Sequence, residues 1–247
     1  MANKVKVIVV EVGAAGRAAA AEFELLGVSC LMLEAHSTLG GRVRTVSRPG
    51  KGRLKNDAQM INGDMTAVLA LAKEADLRLL PVPLARRDLC FWRADGCSGA
   101  ISFGSPMGLE ARDTSYDTGA KLQLTAFLVG PVARQRAALS RDVRTEQLLI
   151  DLATPLGALA RRPLEFDESI WVDHPWSGGG YNAYVKTGQP SDVVSSLANW
   201  PGPVQFAGAE LDTEFAGYVE GAIRSGRRVA QRVARELRSD IGADRGQ

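Results

Sequence analysis

Apolar positions along the chain fall into two kinds of run. Val5 to Val10 and Ser29 to Leu33 are short, nearly unbroken apolar stretches of strand length. Between them lies an alanine-rich segment, Ala18 to Ala21, whose small side chains suit a helix lying close on a sheet, with Gly27 as the residue that ends it. Elsewhere the apolar residues recur at helical spacing. Val68, Leu69, Leu71, Ala72 and Ala75 do so within 64–80, behind Asp64 as a candidate N-cap. Leu148, Leu149, Leu152 and Leu156 do so between Ser140 and Gly157. Val219, Ala222, Ile223, Gly226, Ala230, Val233 and Leu237 form one face of a long C-terminal helix. Its arginines, Arg224, Arg228, Arg232 and Arg235 among them, lie largely off that face and are expected to meet solvent. Strand, helix and parallel strand at the start of the chain predict an α/β fold with a Rossmann-like βαβ unit.

The junction of the first strand and helix carries Gly13 and Gly16, and the second strand ends on an acid, Glu34. This spacing delivers a helix N-terminus to a pyrophosphate, with the acid accepting hydrogen bonds from a ribose. In the G-x-G-x-x-G pattern the first glycine falls on residue 11, which is Glu. Glu11 adds a side chain to a tight turn and a negative charge near the phosphates. Two unit charges about 4 Å apart repel by about 1 kcal/mol in water and about 4 kcal/mol at an effective dielectric of about 20. Downstream, Gly40 and Gly41 permit close backbone approach, and Arg42 is placed to neutralise a phosphate.

Bulk properties narrow the picture. A length of 247 residues predicts one or two domains, and a formal charge of +2 argues for neither a nucleic-acid nor a membrane partner. Three cysteines, Cys30, Cys90 and Cys97, lack metal-ligand spacing and fit a reduced, cytoplasmic chain. The first apolar run is too short to span a membrane and is accounted for by the first strand. His36 and His174 are far apart in sequence, which argues against a histidine-based metal site.

Leu33-Glu34-Ala35 followed by Gly40-Gly41-Arg42-Val43-Arg44-Thr45, after a βαβ opening, resembles the flavin-containing amine oxidase family, which includes monoamine and polyamine oxidases and binds FAD with this fingerprint. Asp57 to Gly63 is similar to the family's flavin-approaching G-A-Q-W-I-x-G turn, with Asp57 in place of Gly and Met60 in place of Trp. Trp171, Trp176, Gly178 to Gly180 and Tyr181 resemble its W…W-S-G-G-x-Y stretch. Val204 to Glu210 and Gly217 to Ala222 resemble its closing F-A-G-x-E…G-Y-x-E-G-A motif, where a strand leads by a short loop to a helix facing the flavin. The family's chain is close to twice as long, as if a block had been deleted between about residues 80 and 90. The position matching its flavin-side lysine is Val82.

The resemblance implies a Rossmann-like FAD-binding domain assembled from both chain ends, 1–80 and 200–240, with a reduced α+β substrate-domain remnant over 90–199. It implies FAD held by Gly13, Ala14, Ala15, Gly16, Glu34, Ala35, Gly41, Arg42, Gly208, Glu210, Tyr218 and Val219. The FAD is expected to be non-covalent, because Gly180 occupies the position of the family's flavin-linked cysteine. Tyr181, Tyr218 and Trp176 are expected around a small amine, which ring faces attract as a cation. No catalytic acid or base is assigned. The expected activity is oxidation of an amine to an imine with oxygen as acceptor. The alternative is a non-catalytic nucleotide-binding or protein-interaction relative, motivated by Glu11, Asp57, Met60, Val82 and the missing block. A homodimer is expected to cover apolar surface left by the lost domain interface.

Overall fold

The computed structural model describes residues 5–43, 45–48, 52–55, 60–79, 91–94, 99–103, 108–115, 123–180, 182–183, 185, 187–190 and 192–244. They divide into two compact units, one of 1–77 with 173–247 and one of 78–172. The expected change of domain near 199 thus differs from the observed change at 172–173.

The first unit opens with strand β1 (Val7–Val10), helix α1 (Ala14–Leu25) and strand β2 (Cys30–Leu33). β1 and β2 pair in parallel, Val7 opposite Cys30 and Val10 opposite Leu33. Period-two alternation sends Val7, Val9 and Cys30 towards α1, where Ala19, Phe23 and Val28 are buried. Ile8, Val10, Leu31 and Leu33 share the opposite face and are 59%, 71%, 46% and 47% exposed. Parallel sheets are ordinarily covered on both faces, so this one carries a bare apolar side. A hairpin of β3 (Thr45–Arg48) and β4 (Gly52–Lys55) follows, then helix α2 (Thr66–Glu74).

α2 is shorter than its periodicity predicts and begins on Met65, not on Asp64, with no side chain of its own capping it. Asp64 contributes only a backbone carbonyl, which accepts from the Thr66 N–H. The missing cap comes from a distant residue, described below.

The second unit holds a short helix α3 (Phe91–Ala94), a three-stranded antiparallel sheet of β5 (Ile101–Phe103), β6 (Leu109–Asp113) and β7 (Leu124–Leu128), and helices α4 (Gly130–Ala137) and α5 (Arg141–Leu156). Trp92 and Leu156 are buried together against Phe91, Ile101 and Leu124. The Trp92 indole N–H donates to Asp113 at 3.0 Å, satisfying the polar tip of a buried ring. α5 follows its sequence signals: Ser140 accepts from the Val143 N–H, and Gly157 ends the helix at φ 82°.

The chain then returns to the first unit through helix α6 (Val193–Ala198) and ends on α7 (Val219–Asp244). α7 packs along α1, with Ala230 and Ala234 joining Ala19 and Phe23 in one core. The approach is close because small residues face each other. A Cβ at Gly226 would lie 2.2 Å from the Ala15 carbonyl oxygen. Gly226→Ala is therefore expected to lower the unfolding free energy by about 1–3 kcal/mol through overpacking, overriding the roughly 1 kcal/mol by which alanine favours a helix. Urea denaturation checks it, and an unchanged or raised midpoint contradicts the close approach.

Two expectations about this segment need correction. The strand expected at 204–207 is not formed. Gln205 turns back instead, donating from Nε2 to the carbonyls of Trp200 and Gly202 at 3.2 and 2.7 Å, while Phe206 meets Trp200 edge-to-face. The arginines of α7 are also engaged and not simply solvated. Arg224 and Arg228 pair with Asp212, and Arg232 donates to the Ala198 carbonyl and to Gln205. Off-face placement left them free to reach loops that helical periodicity does not reveal.

Candidate functional site

β1 delivers the chain to α1 through a turn that starts at Glu11. Its N–H continues the sheet by donating to the Leu33 carbonyl at 2.8 Å, and its φ is 74°, the left-handed region that glycine occupies without strain. The glycine pattern is thus right about the backbone even though this chain has Glu there. The Glu11 side chain points out to solvent, so its cost lies mainly in conformation. Gly16 is needed because a Cβ there would sit 2.1 Å from the Glu11 carbonyl oxygen. Gly13 is the N-cap of α1 and offers no side chain, so the first N–H groups of the helix, from Ala14 and Ala15 on, stay open to an anion.

Glu11→Gly is expected to stabilise the chain by about 0.5–1 kcal/mol, the relief of left-handed strain less the added entropy of glycine. It should also tighten binding of a pyrophosphate ligand by up to about fivefold, the equivalent of ~1 kcal/mol for a solvated charge. Thermal melts and titration of the variant check both; a destabilised Glu11→Gly would contradict the strain argument.

Glu34, at the end of β2, has both carboxylate oxygens in use. The Val12 N–H donates to Oε2 at 2.8 Å and the His36 N–H to Oε1 at 2.9 Å. These donors, His36 first, hold the carboxyl below its ordinary value, so it is ionised at neutral pH. The carboxylate was expected to bind ribose; it also fastens the loop that follows to the fingerprint turn. Each oxygen retains a lone pair for a ligand hydroxyl. Ala35 is exposed beside it. The loop closes where the Gly40 N–H donates to the Val12 carbonyl and Gly40 bridges Gly13. Gly40 lies at φ 114°, and a Cβ there would stand 2.3 Å from the Val43 carbonyl oxygen. Gly41, at φ 58°, comes within contact of Gly13.

Arg42 departs from its expected role. Its guanidinium makes a two-pronged contact with Glu210, Nη1 to Oε1 at 2.5 Å and Nη2 to Oε2 at 3.0 Å, so two residues expected on a ligand hold each other. Burial pushes the Glu210 carboxyl up, but the Arg42 fork and backbone N–H donors outweigh it and leave it below its ordinary value. The pair joins positions 168 residues apart, a partner choice that sequence order does not reveal. Gly208 precedes it, its N–H donating to the Ser225 hydroxyl on α7 at 3.2 Å. Asp212 follows, fully buried. It accepts from the Glu214 and Phe215 N–H groups and meets Arg224 and Arg228, which offset the cost of its burial and hold its carboxyl below the usual range.

Sequence reasoning passed over Glu220. It is wholly buried, and its carboxylate accepts from the Ala67 N–H at 2.9 Å and the Val68 N–H at 2.8 Å. It is the N-terminal cap that α2 lacks locally. The acid of the G-Y-x-E-G-A pattern was the available signal.

At the start of α7, Tyr218 and Val219 stand where the motif places them, with Tyr218 50% exposed; Trp176 is 60% exposed. Tyr181, Asp57 and Val82 lie outside the described residues, and Met60 is exposed. His36 and His174, distant in sequence, come together with ring centroids 5.8 Å apart. Among the described residues no group of three or more His, Cys, Asp or Glu is placed to hold a metal ion, and no helix is long and apolar enough to cross a membrane.

Comparison with known proteins agrees with this geometry at both ends of the chain. Residues 12–75 match the NAD(P)-binding Rossmann-like domain, and residues 88–234 match the flavin containing amine oxidoreductase family. A flavin-containing amine oxidase of Danio rerio is 33% identical over 147 residues, covering 58% of this chain and 28% of the relative. An L-amino acid dehydrogenase of Synechocystis is 32% identical over 147 residues, covering 59% and 31%. The matched chain thus spans under a third of the length of these relatives. Cyclohexylamine oxidase from Brevibacterium oxydans superposes with a TM-score of 0.83 at 16% identity, covering 95% of this chain and 99% of that one. A putrescine oxidase bound to putrescine does so with a TM-score of 0.76 at 16% identity, covering 92% and 98%. At such identity the likeness is one of fold. With more than half of the chain matched by its model, the chain belongs to the flavin containing amine oxidoreductase family.

Proposed function

We propose that the chain is an FAD-dependent oxidoreductase of the amine oxidase type, oxidising a small amine to an imine with oxygen as acceptor. The observation that carries this reading is the nucleotide cradle: an uncapped α1 N-terminus behind Gly13, the ionised Glu34 beside it, and the close approaches at Gly16 and Gly40 that leave no room for larger residues. The residues fit a dinucleotide. Ala14 and Ala15 N–H groups with Gly13 and Gly16 would receive the pyrophosphate, Glu34 the ribose, and Ala35 and Gly41 border the same loop. Arg42 and Glu210 act by holding that loop to the Gly208 segment, with Tyr218 and Val219 at the start of α7. FAD, when bound, supplies the electron acceptor for the carbon next to the amine. Tyr218, Trp176 and Tyr181 offer ring faces to the amine, favouring its cation on approach and giving apolar contact to its neutral form. Gly180 in place of a cysteine supports non-covalent attachment.

In this reading 1–80 and 200–240 form the cofactor domain, and 90–199 derives from the substrate domain. The unpaired thiol of Cys30 is consistent with a reducing, cytoplasmic setting. The bare face of β1 and β2 favours self-association as a homodimer, to be read from the concentration dependence of the molar mass.

The decisive experiment is the absorption spectrum of the purified chain, followed by anaerobic mixing with a panel of primary and secondary amines. Flavin bands that bleach with an amine and return with oxygen are expected. A chain that binds FAD without bleaching is a silent flavoprotein, and one that takes up no FAD sinks the proposal.

A further inference from the structure

The loop that carries Glu34 is held by more than its carboxylate. His36, two residues on, has its Nδ1 3.0 Å from the Thr38 backbone N–H and 2.8 Å from the Thr38 hydroxyl. A backbone N–H can only donate, so Nδ1 is the acceptor and the proton of the neutral ring belongs on Nε2. Across from it stands His174, with interplanar angle 25° and its own Nδ1 3.0 Å from the Ser177 hydroxyl. A hydroxyl both donates and accepts, so His174 can take up a proton without losing its partner. His36 cannot. A proton on its Nδ1 sets N–H against N–H at Thr38, and with His174 charged it places two cations face to face.

From this asymmetry we propose that the stacked His36–His174 pair positions the Glu34 loop and releases it in acid, so that nucleotide affinity falls as pH drops through the imidazole range. The inference rests on the nucleotide reading of Glu34. Imidazoles change charge between about pH 5 and 8, which puts the switch near neutrality. The charged groups around the pair are Glu34 and Asp173. Glu34 is in electrostatic contact with His36 and already accepts its backbone N–H, and Asp173 precedes His174 in the chain. Glu34 does not cancel the effect, because a cationic His36 competes with the Val12 N–H for the same carboxylate. The first proton goes to His174, and the second opens the turn at Thr38. That turn lies between Glu34 and Gly40, whose N–H anchors the loop on Val12.

The test uses the full chain and FAD as probe, with the dissociation constant read from flavin fluorescence at pH 5.5, 6.5 and 7.5. Wild type is expected to bind about tenfold more weakly at pH 5.5 than at pH 7.5. His174→Phe keeps a ring in the stack and cannot take up a proton, and His36→Asn keeps an acceptor for Thr38. In both the ratio between the two pH values should shrink to within about twofold. A wild-type ratio near one, or the same ratio in all three chains, overturns the proposal. If FAD binds at no pH, the nucleotide reading fails by itself. The switch is then decided on the ligand-free chain by amide exchange at Thr38 and Gly40, corrected for intrinsic rates. Protection lost between pH 7.5 and 5.5 in wild type but kept in His174→Phe supports it, and equal behaviour rejects it.

Discussion

Replacing Glu220 by alanine is expected to lower the unfolding free energy of the chain by about 3–5 kcal/mol, the largest effect predicted for any single side chain here. Each hydrogen bond from a backbone N–H to a buried carboxylate is worth about 1.5–3 kcal/mol, and removal leaves the Ala67 and Val68 donors without a partner in a site closed to water. Glu220→Gln should be milder. Its amide keeps one acceptor oxygen but turns an NH₂ towards the second N–H, so about half the loss is expected. Guanidinium denaturation gives the free energies, and amide exchange at Val68 locates them. A cost below about 1 kcal/mol for the alanine variant would mean that α2 finds another cap.

The reason for so large an effect also explains how much the sequence reveals. β1, β2 and α1 were readable because their signals are local: apolar runs of strand length, small residues on a helix face, glycines at a junction. The same holds for α5, whose cap Ser140 and terminator Gly157 sit within one turn of its ends. The α2 cap was misread because Asp64 is a good cap by type, while the real one comes from 153 residues further along the chain. Residue type cannot say which of two acids reaches a helix end. Similarly, Arg42 has the chemistry of a phosphate ligand, and Glu210 equally has the chemistry to pair with it.

Departures from the glycine pattern carry the opposite lesson. Glu11 looked chiefly like a charge near phosphates, but the turn needs a left-handed residue there, and the solvent-facing side chain makes the backbone the larger concern. The histidines, dismissed as a pair because of their separation, meet because 173–199 folds back onto the N-terminal unit. The bare face of β1 and β2 was legible only as an absence: nothing in 90–199 supplied a third parallel strand, and the closing segment turned back through Gln205.

Glu34→Ala should weaken FAD binding by about a hundredfold, since it removes the charged acceptor for the ribose and also frees the loop that presents Gly41. Two contributions can be separated in one experiment. Loss of the ribose contact appears only with ligand, whereas loss of the loop fastening appears in the ligand-free chain as faster exchange at the Val12 and His36 amides. Glu34→Gln retains one acceptor and should fall between alanine and wild type. The pH dependence fixes the sign. Because backbone donors hold the Glu34 carboxyl below its ordinary value, its contribution is complete above the unfolded carboxyl pKa, about 4.3, and disappears as pH falls through the lower folded value. Wild type should therefore show an acid loss below about pH 4 that Glu34→Gln lacks, well apart from the loss assigned to the histidine pair between about pH 5 and 8. If Glu34→Ala binds FAD as tightly as wild type, the acid serves the loop alone, and the ribose must be held by other residues.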